Sequence, residues 1–521
     1  MHLSLKSVKS IAAALFGCAL LALPVAAHAT QTVESLYLNG TSPVTGHTYS
    51  SLCTGLAWNP NPTTDIVCIE SIAQAVSDAS SYLASGDLVN IYFPTGTVDI
   101  SWETKYNSTG GHGTNYSANG YIDVTGVRPA FAGGYQGELR VAGSGSGSTL
   151  ITDNSLTTIY GKNLADVKFV SFTFTRSVAT TSQGVVTSTG LNTAGQITFN
   201  VPNSSFLTPL QLYQNAIYDH GGTEANTEYI RAYTNSATAP VIVNVADNTQ
   251  IAWGARTTTC PQTLDSFGYC APHLNGDGTW TIYFDNGSAG TKAPSDAYTG
   301  NFVGMKMEGP AQAYYFYDNS YPTGDSVGFD HVTWQDMSRG VWDNITNAFV
   351  TNSSIVPRAA LGGQAFCLSV PTGGPQFSQP GDAGLNLSVL VNNFTASNTG
   401  DDTIAIFNDS NTVIGSGSSI VNSTITSSFA RDVNLFNSCY VKVPVPYDPG
   451  SPSNANTITG CFSAGTSSGS GPGDNFPTYY GGCVTDTTPS NTTTPKWGTP
   501  CTVPPWNPAY PSALVWNTPP L

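Results

Sequence analysis

The sequence predicts an all-β protein built from stacked repeats. Three observations support this fold class: charged residues make up only 10% of the chain, one segment alone has convincing helical periodicity, and the second half contains a degenerate repeat of short β runs. A helical bundle would need far more Ala, Glu, Lys and Leu. Hydrophobic residues (40%) and aromatic residues (11%) are sufficient to bury a core, which argues against disorder.

Acidic residues exceed basic ones along the 521-residue chain. There are 33 Asp and Glu against 17 Lys and Arg, for a formal net charge of −16. Nucleic-acid binding requires a basic surface that attracts phosphate, so this balance predicts no nucleic-acid partner. What remains is a large, acidic, β-rich protein of the kind that cells export.

The first 29 residues are typical of an export signal. Lys6 and Lys9 precede an uncharged apolar run from Ile11 to Leu23, and Ala27-His28-Ala29 is a small-x-small cleavage site. We therefore expect the mature chain to begin at Thr30 and to be secreted, either outside the cell or into a periplasm. No second apolar run follows, so no membrane span is predicted. We expect a monomer.

Nine of the ten cysteines lie after the signal segment, and in an exported protein they are candidates for disulfide bonds. Cys53 with Cys68, and Cys260 with Cys270, are close enough in sequence to close local loops. Two further bridges are possible in the C-terminal quarter among Cys439, Cys461, Cys483 and Cys501. Cys367 remains, and a buried thiol is the simplest interpretation.

Helical spacing of apolar residues predicts a helix over 68–86, ended by Gly86. A strand, a Pro-x-Gly turn and a second strand follow over 89–100, and short β runs continue to residue 174. Beyond residue 300 the repeat units are Phe329–Trp334, Phe349–Ile355, Leu390–Phe394 and Ile420–Ile425. Repeats at roughly 20–40 residues indicate a solenoid, in which stacking buries the apolar face of each unit.

Two segments do not keep the repeat. Residues 177–300 contain alternating strands at other spacings, which indicates a small inserted β-barrel or sandwich. Residues 441–521 are rich in Pro, Gly, Ser and Thr, which indicates an irregular C-terminal wrap tied by disulfides. The predicted divisions are therefore 1–29, 30–176, 177–300, 301–440 and 441–521.

A helix followed by a strand–Pro-x-Gly–strand unit and then by repeats resembles right-handed parallel β-helix proteins of the pectin-lyase-like type. The resemblance covers about 65–176 and 300–440. It implies that the helix caps the open N-terminal end of the solenoid and shields its strand edges.

The few charges of the second half are concentrated in the turns that follow Trp334, Ile355, Phe394 and Ile425. A parallel solenoid stacks equivalent turns about 4.8 Å apart, so these charges should share one edge. They are Asp336, Arg339, Arg358, Asp401, Asp402, Arg431 and Asp432. A solvated ladder of ion pairs is the alternative, because turns favour Asp on structural grounds alone.

Adjacent carboxylates suit sugar chemistry. Glycoside hydrolysis needs one carboxylic acid to protonate the leaving oxygen and a carboxylate to activate water or attack carbon, and repulsion within Asp401-Asp402 would favour one protonated partner. The neighbouring acids and arginines are candidates for binding substrate. Four aromatic residues are candidate stacking faces for sugar rings, with core packing as the alternative: Trp334, Trp342, Tyr315 and Tyr317.

The segment from Asn398 to Ile406, which contains Gly-Asp-Asp-x-Ile, resembles the Asp-Asp segment of β-helix glycosidases. The α-1,3-galactosidases of glycoside hydrolase family 110 are the nearer resemblance, since they also have a β-barrel inserted into a β-helix. The polygalacturonases of family 28 are more distant, because their Arg-Ile-Lys motif does not occur here. The resemblance implies catalytic carboxylates at Asp401 and Asp402, with a third acid one coil earlier, where Asp382 is the match.

The leading hypothesis is a secreted glycoside hydrolase in which Asp402 is the acid and Asp401 the base. The runner-up is a polysaccharide lyase on the same scaffold, with Ca²⁺ held by Asp401, Asp402 and Asp432 and an arginine, Arg358 or Arg431, facing a uronate. A glycan-binding adhesin without catalysis is the third possibility. No histidine pair has zinc-ligand spacing, so no metal other than a possible Ca²⁺, and no other cofactor, is expected.

Overall fold

The computed structural model describes the chain in a series of segments, and the account below concerns these residues. They are 31–52, 65–100, 119–133, 135–144, 147–152, 156–176, 181–188, 196–201, 208–210, 230–235, 272–283, 302–307, 312–318, 326–337, 339–345, 347–358, 373–379, 388–399, 403–408, 419–421, 423–428, 433–436, 443–444 and 457–458. The predicted signal segment lies outside them, so it stays a prediction.

Within these segments the chain is almost entirely β-structure. The α-helix α1 spans Ile69–Leu83, a 3₁₀ turn spans Tyr49–Leu52, and residues 209–210 are also helical. The strands, in chain order, are β1 Val33–Tyr37, β2 Asp65–Ile66, β3 Leu88–Phe93, β4 Gly96–Asp99, β5 Gly120–Asp123, β6 Phe131–Ala132, β7 Tyr135–Gln136, β8 Glu138–Gly143, β9 Ser148–Thr152, β10 Thr157–Lys162, β11 Val167–Val170, β12 Phe172–Arg176, β13 Thr181–Ser188, β14 Gln196–Asn200, β15 Ile230–Asn235, β16 His273–Leu274, β17 Trp280–Tyr283, β18 Phe302–Met307, β19 Tyr314–Tyr317, β20 Ser326–Asp330, β21 Thr333–Trp334, β22 Gly340–Asp343, β23 Asn347–Thr351, β24 Ser354–Ile355, β25 Pro375–Gln379, β26 Ser388–Asn392, β27 Thr395–Thr399, β28 Ile404–Asn408, β29 Ser419–Val421, β30 Thr424–Ser428, β31 Val433–Phe436, β32 Val443–Pro444 and β33 Thr457–Ile458.

Three long parallel sheets contain most of these strands. Sheet 1 has the order β1-β3-β8-β11-β20-β23-β26-β29, sheet 2 has β2-β4-β9-β12-β21-β24-β27-β30, and sheet 3 has β5-β10-β19-β22-β25-β28-β31. The chain visits the sheets in turn, one strand in each, and then begins the next rung. This confirms the predicted all-β class, and the three sheets are compatible with a parallel β-helix.

The core lies between the sheets because side chains alternate along each strand. In sheet 1 the pairing aligns Phe169 with Phe329 and then with Val350, and all three are fully buried. Sheet 3 adds an aromatic row that runs from Phe316 through Trp342 to Phe377. Ring centroids of Phe169 and Phe316 are 5.6 Å apart, so sheets 1 and 3 meet through stacked rings.

The corner from sheet 1 to sheet 2 is tight because a single residue in the left-handed region redirects the chain on successive rungs. The residues are Ser171, His331, Asn352 and Asn393, with φ of 61°, 56°, 49° and 53°. Asn tolerates this conformation better than most residues, since its short amide can hydrogen-bond locally. The Nδ2 of Asn393 donates to Oδ1 of Asn352 at 2.8 Å, which links one rung to the next.

Helix α1 occupies the predicted position and contacts the first strands of the stack, β1, β3, β5 and β8. Gly86 follows it with φ of +81°, as the sequence predicts for a helix end. Cys68 precedes the helix, is fully buried and is disulfide-bonded. Cys53 lies outside the described residues, so the predicted pairing stays a prediction. The apolar residues that α1 buries are Ile69, Ile72, Ala75, Ala79 and Leu83, and Ser71 and Asp78 are buried with them.

A six-stranded antiparallel sheet follows β12 in the chain, with the order β15-β18-β13-β14-β17-β16. Its last strand in sequence, β18, lies beyond residue 300, so the departure from the repeat extends further than the composition indicates. The three strands before this sheet, β10, β11 and β12, pair directly with the three after it, β19, β20 and β21. Among the described residues, no helix is both long and apolar enough to cross a membrane.

Asp166, at the corner between β10 and β11, gives the fold a predicted pH dependence. Burial, followed by repulsion from Glu138, raises the pKa of Asp166 from 3.8 to about 7. The folded state therefore keeps a proton that the unfolded state loses near pH 4, and stability falls as the pH rises from about 4 to 7. The wild type should lose free energy of unfolding between pH 4 and pH 7.5. We expect Asp166→Asn to make that loss smaller by about 2 kcal/mol, measured by urea unfolding. Identical pH profiles for the two proteins would contradict this assignment.

Candidate functional site

The four charged turns predicted to share an edge do join the same two sheets. They connect β21 to β22, β24 to β25, β27 to β28 and β30 to β31, so each leaves sheet 2 and enters sheet 3. Their flanking strands are hydrogen-bonded neighbours in both sheets. We call this edge the charged corner. The strands on either side of these turns stack in the order that the sequence repeat predicts.

The register at the charged corner differs from the sequence alignment at one rung. Trp334 pairs with Ile355, Ile355 pairs with Ala396, and Ala396 pairs with Ile425. The alignment had used Phe394, which lies two residues earlier and is fully buried. Side chains alternate along a strand with a period of two, so Phe394 and Ala396 both face inward. An alignment based on hydrophobicity therefore selects the larger of the two, Phe394.

Asp336 and Arg358 are brought together across two successive turns of the corner. Arg358 Nη1 lies 3.6 Å from Asp336 Oδ2, although 22 residues of sequence separate them. The Asp336 side chain is fully buried, and that of Arg358 is 16% exposed. A buried carboxylate paired to a guanidinium holds the turns in place, so Asp336 is a structural residue rather than the substrate contact that the sequence predicted.

Arg339 is the exposed cation of this corner, immediately before β22. Its backbone carbonyl accepts a hydrogen bond from the amide of Ala313 at 3.0 Å, which ties the turn to the rung before it. The side chain of Arg339 is exposed, and its role as a substrate contact stays a prediction. Arg431 and Asp432, one turn beyond Asp401-Asp402 in the stack, lie outside the described residues.

Trp334 and Trp342 are core residues, which corrects their predicted role as stacking faces for sugars. Trp334 is 3% exposed and packs edge-on against Phe329 at 5.1 Å between ring centroids. Trp342 is fully buried, and its Nε1 donates to the carbonyl of Val327 at 3.0 Å. Both occupy inward positions of their strands, so neither ring has a face open to a ligand.

Asp401 and Asp402 lie outside the described residues, but the structure describes both ends of their turn. Thr399 and Thr403 are fully buried, and their Oγ1 atoms are 2.6 Å apart in a hydrogen bond. The same arrangement closes the equivalent turn between β9 and β10, where the hydroxyls of Thr152 and Thr158 are 3.2 Å apart. A threonine pair therefore fixes the base of the turn that carries the two acids.

Asp382 also lies outside the described residues, and its segment belongs to another corner. It follows β25 and leads to β26, which joins sheet 3 to sheet 1. The acid pair instead precedes β28, the strand paired with β25. The role of Asp382 as a third catalytic acid stays a prediction.

Tyr315 and Tyr317 project from the outer face of sheet 3, and each is half-buried. Tyr160, which the sequence interpretation missed, pairs with Tyr315 on the preceding strand. The segment 177–311 separates the two tyrosines in sequence, so only the matching patterns Tyr160-Gly-Lys162 and Tyr315-Phe-Tyr317 could have shown that they align.

A cleft of about 390 Å³ lies between α1 and the segment 123–128. It adjoins the first rungs of the stack rather than the charged corner, and its polar lining includes Asp123 and Arg128. No cluster of three or more His, Cys, Asp or Glu residues suited to a metal ion occurs in the part of the chain that the structure describes.

No protein-family model matches this chain, and a search of curated proteins finds no match either. The resemblance to the two glycosidase families therefore remains an expectation from the sequence.

Proposed function

We propose that this protein is a secreted glycoside hydrolase that acts on a polysaccharide or oligosaccharide by carboxylate acid/base catalysis. The observation that carries the proposal is the charged corner, where turns distant in sequence stack and the turn of Asp401-Asp402 is closed by the Thr399–Thr403 hydrogen bond. A fixed turn base favours a fixed orientation of the acids, and positioning is what general acid–base catalysis requires.

In this mechanism Asp402 protonates the leaving glycosidic oxygen and Asp401 activates the water that attacks the anomeric carbon. Adjacent residues of a regular strand face opposite sides, so the proposal requires a turn conformation at this position. The turn assignment is supported by the strand ends, since β27 stops at Thr399 and β28 starts at Ile404. Arg339, Arg431 and Asp432 would contact sugar hydroxyl groups from the neighbouring turns.

The scaffold we propose is a right-handed parallel β-helix with α1 as its N-terminal cap. Right-handed crossovers are the rule for parallel strands, and α1 contacts the first strands of the stack. The six-stranded antiparallel sheet would be the inserted domain, since the rungs on either side of it pair directly. Export is supported by residues 1–29 and by the disulfide at Cys68.

Product chemistry tests this proposal. The mature protein would be incubated with a panel of neutral and uronic-acid glycans, with and without EDTA, and scored for new reducing ends and for absorbance of unsaturated sugars. We expect reducing ends without ultraviolet absorbance, unchanged by EDTA. Unsaturated products that disappear with EDTA would replace the hydrolase by a Ca²⁺-dependent lyase, and binding without cleavage would replace it by an adhesin.

A further inference from the structure

The outer face of sheet 3 contains a compact group of half-buried tyrosines. Ring centroids of Tyr160 and Tyr315 are 5.9 Å apart with 24° between their planes, and those of Tyr315 and Tyr317 are 6.3 Å apart with 16°. At these separations the rings are displaced rather than fully overlapped, so each keeps part of one face uncovered. Three nearly parallel, partly exposed rings from two adjacent strands therefore form one aromatic group, which we call the tyrosine face.

Polar side chains on the neighbouring strands lie at positions paired with the tyrosines. Asp123 pairs with Tyr160, and Asp343 pairs with Tyr317, so a carboxylate flanks the rings on each side. The hydroxyl of Tyr315 donates to Asp343 Oδ2 at 3.3 Å. Burial, and then the charge of Asp343, raises the pKa of Tyr315 to about 12, so this ring stays neutral.

Charge on the tyrosine face disfavours an anionic ligand. Lys162 lies 5.9 Å from the Tyr317 ring centroid and is opposed by the two carboxylates, Asp123 and Asp343. The whole chain carries a net charge of −16. Polyuronates would meet repulsion here, whereas the apolar C–H faces of neutral sugars match flat aromatic rings and their hydroxyls match carboxylates and amides.

The surroundings of the face favour an extended ligand. The cleft beside α1 includes Asp123, so it opens next to Tyr160. In the other direction, the strand column of Tyr315 continues through Val341 and Gln376 to Ala405, but Val341 and Ala405 are only 6% and 5% exposed. The open surface beside the tyrosine face therefore lies on the side of the α1 cleft.

We propose that the tyrosine face is a binding subsite for a neutral glycan chain that extends towards the α1 cleft. This assigns the substrate class of the proposed hydrolase, and it rests on that function only in identifying the bound glycan as the substrate. A neutral ligand also separates the hydrolase from the lyase, because elimination requires a uronate.

Affinity electrophoresis in native gels containing galactan, xyloglucan or polygalacturonate tests the subsite. We expect at least one neutral polymer to retard the wild-type protein, and Tyr160→Ala and Tyr315→Ala to weaken that binding about tenfold. Tyr315→Phe keeps the ring and should bind within about twofold of wild type, because a single hydroxyl contributes less than the ring. Thermal unfolding of each variant confirms that the fold is retained.

Tyr37 provides the matched control. It lies on sheet 1, is 50% exposed and stacks on Tyr92 at 5.1 Å, so Tyr37→Ala removes an equivalent ring from another face. Unchanged binding by Tyr37→Ala supports the proposal, and an equal loss overturns it. Preference of the wild type for polygalacturonate, or no binding to any neutral polymer, also overturns it. Binding by Asp401→Asn at wild-type strength would show that subsite and hydrolysis can fail independently.

Discussion

Replacing Trp342 with alanine is expected to lower the free energy of unfolding by about 5 kcal/mol. The side chain is fully buried and stacks on Phe377 with 4.6 Å between centroids, and Tyr314 meets it edge-on at 4.6 Å. Truncation of a core aromatic typically costs about 3–5 kcal/mol. It also leaves the carbonyl of Val327 without the indole donor, which adds about 1 kcal/mol. Urea unfolding followed by circular dichroism measures the change.

The conservative variant Trp342→Phe separates the two contributions. It keeps a ring between Tyr314 and Phe377 but removes the indole N–H, so a loss of about 1–2 kcal/mol is expected. Tyr37→Ala, which removes a half-exposed ring stacked on Tyr92, should lower stability by only about 1 kcal/mol. If Trp342→Ala lowered the free energy of unfolding no more than Tyr37→Ala does, Trp342 would not belong to the core.

The core row that Trp342 joins explains why sequence predicted the fold better than the site. Strand alternation and the repeat suffice to predict parallel stacking, because every rung has an apolar face that only the neighbouring rungs can bury. They do not show which face of a strand an aromatic occupies. Trp342 and Tyr315 lie on neighbouring strands, yet one faces the core and the other faces outward. An offset of one residue in register decides this, and composition does not reveal it.

The sequence also does not show which individual charged side chains are buried. Asp336 follows Trp334 by two residues, in a turn where an exposed acid is the ordinary expectation. Its φ of +54° and full burial place its carboxylate against Arg358 from the next turn. Pairing across rungs depends on the turn conformation, and the sequence predicts only that the turns stack.

The largest effect on activity is expected at the acid pair. Asp401→Asn and Asp402→Asn should each reduce glycan hydrolysis about 10³-fold, because the amide neither donates the proton nor activates water as the carboxyl group does. Neither substitution removes the buried Thr399–Thr403 hydrogen bond, so the melting temperature should stay within about 2 °C of wild type. Initial rates of reducing-end release and differential scanning calorimetry measure the two quantities.

Asp382→Asn is the matched control, because it removes a carboxylate from a segment that joins sheet 3 to sheet 1 instead of sheet 2 to sheet 3. If the charged corner alone is catalytic, this variant should hydrolyse glycans within about threefold of wild type. A loss at Asp382 as large as that at Asp401 would move the chemistry to the other corner. Full activity in both acid-pair variants would remove the pair from the mechanism and leave the stacked turns with a structural role.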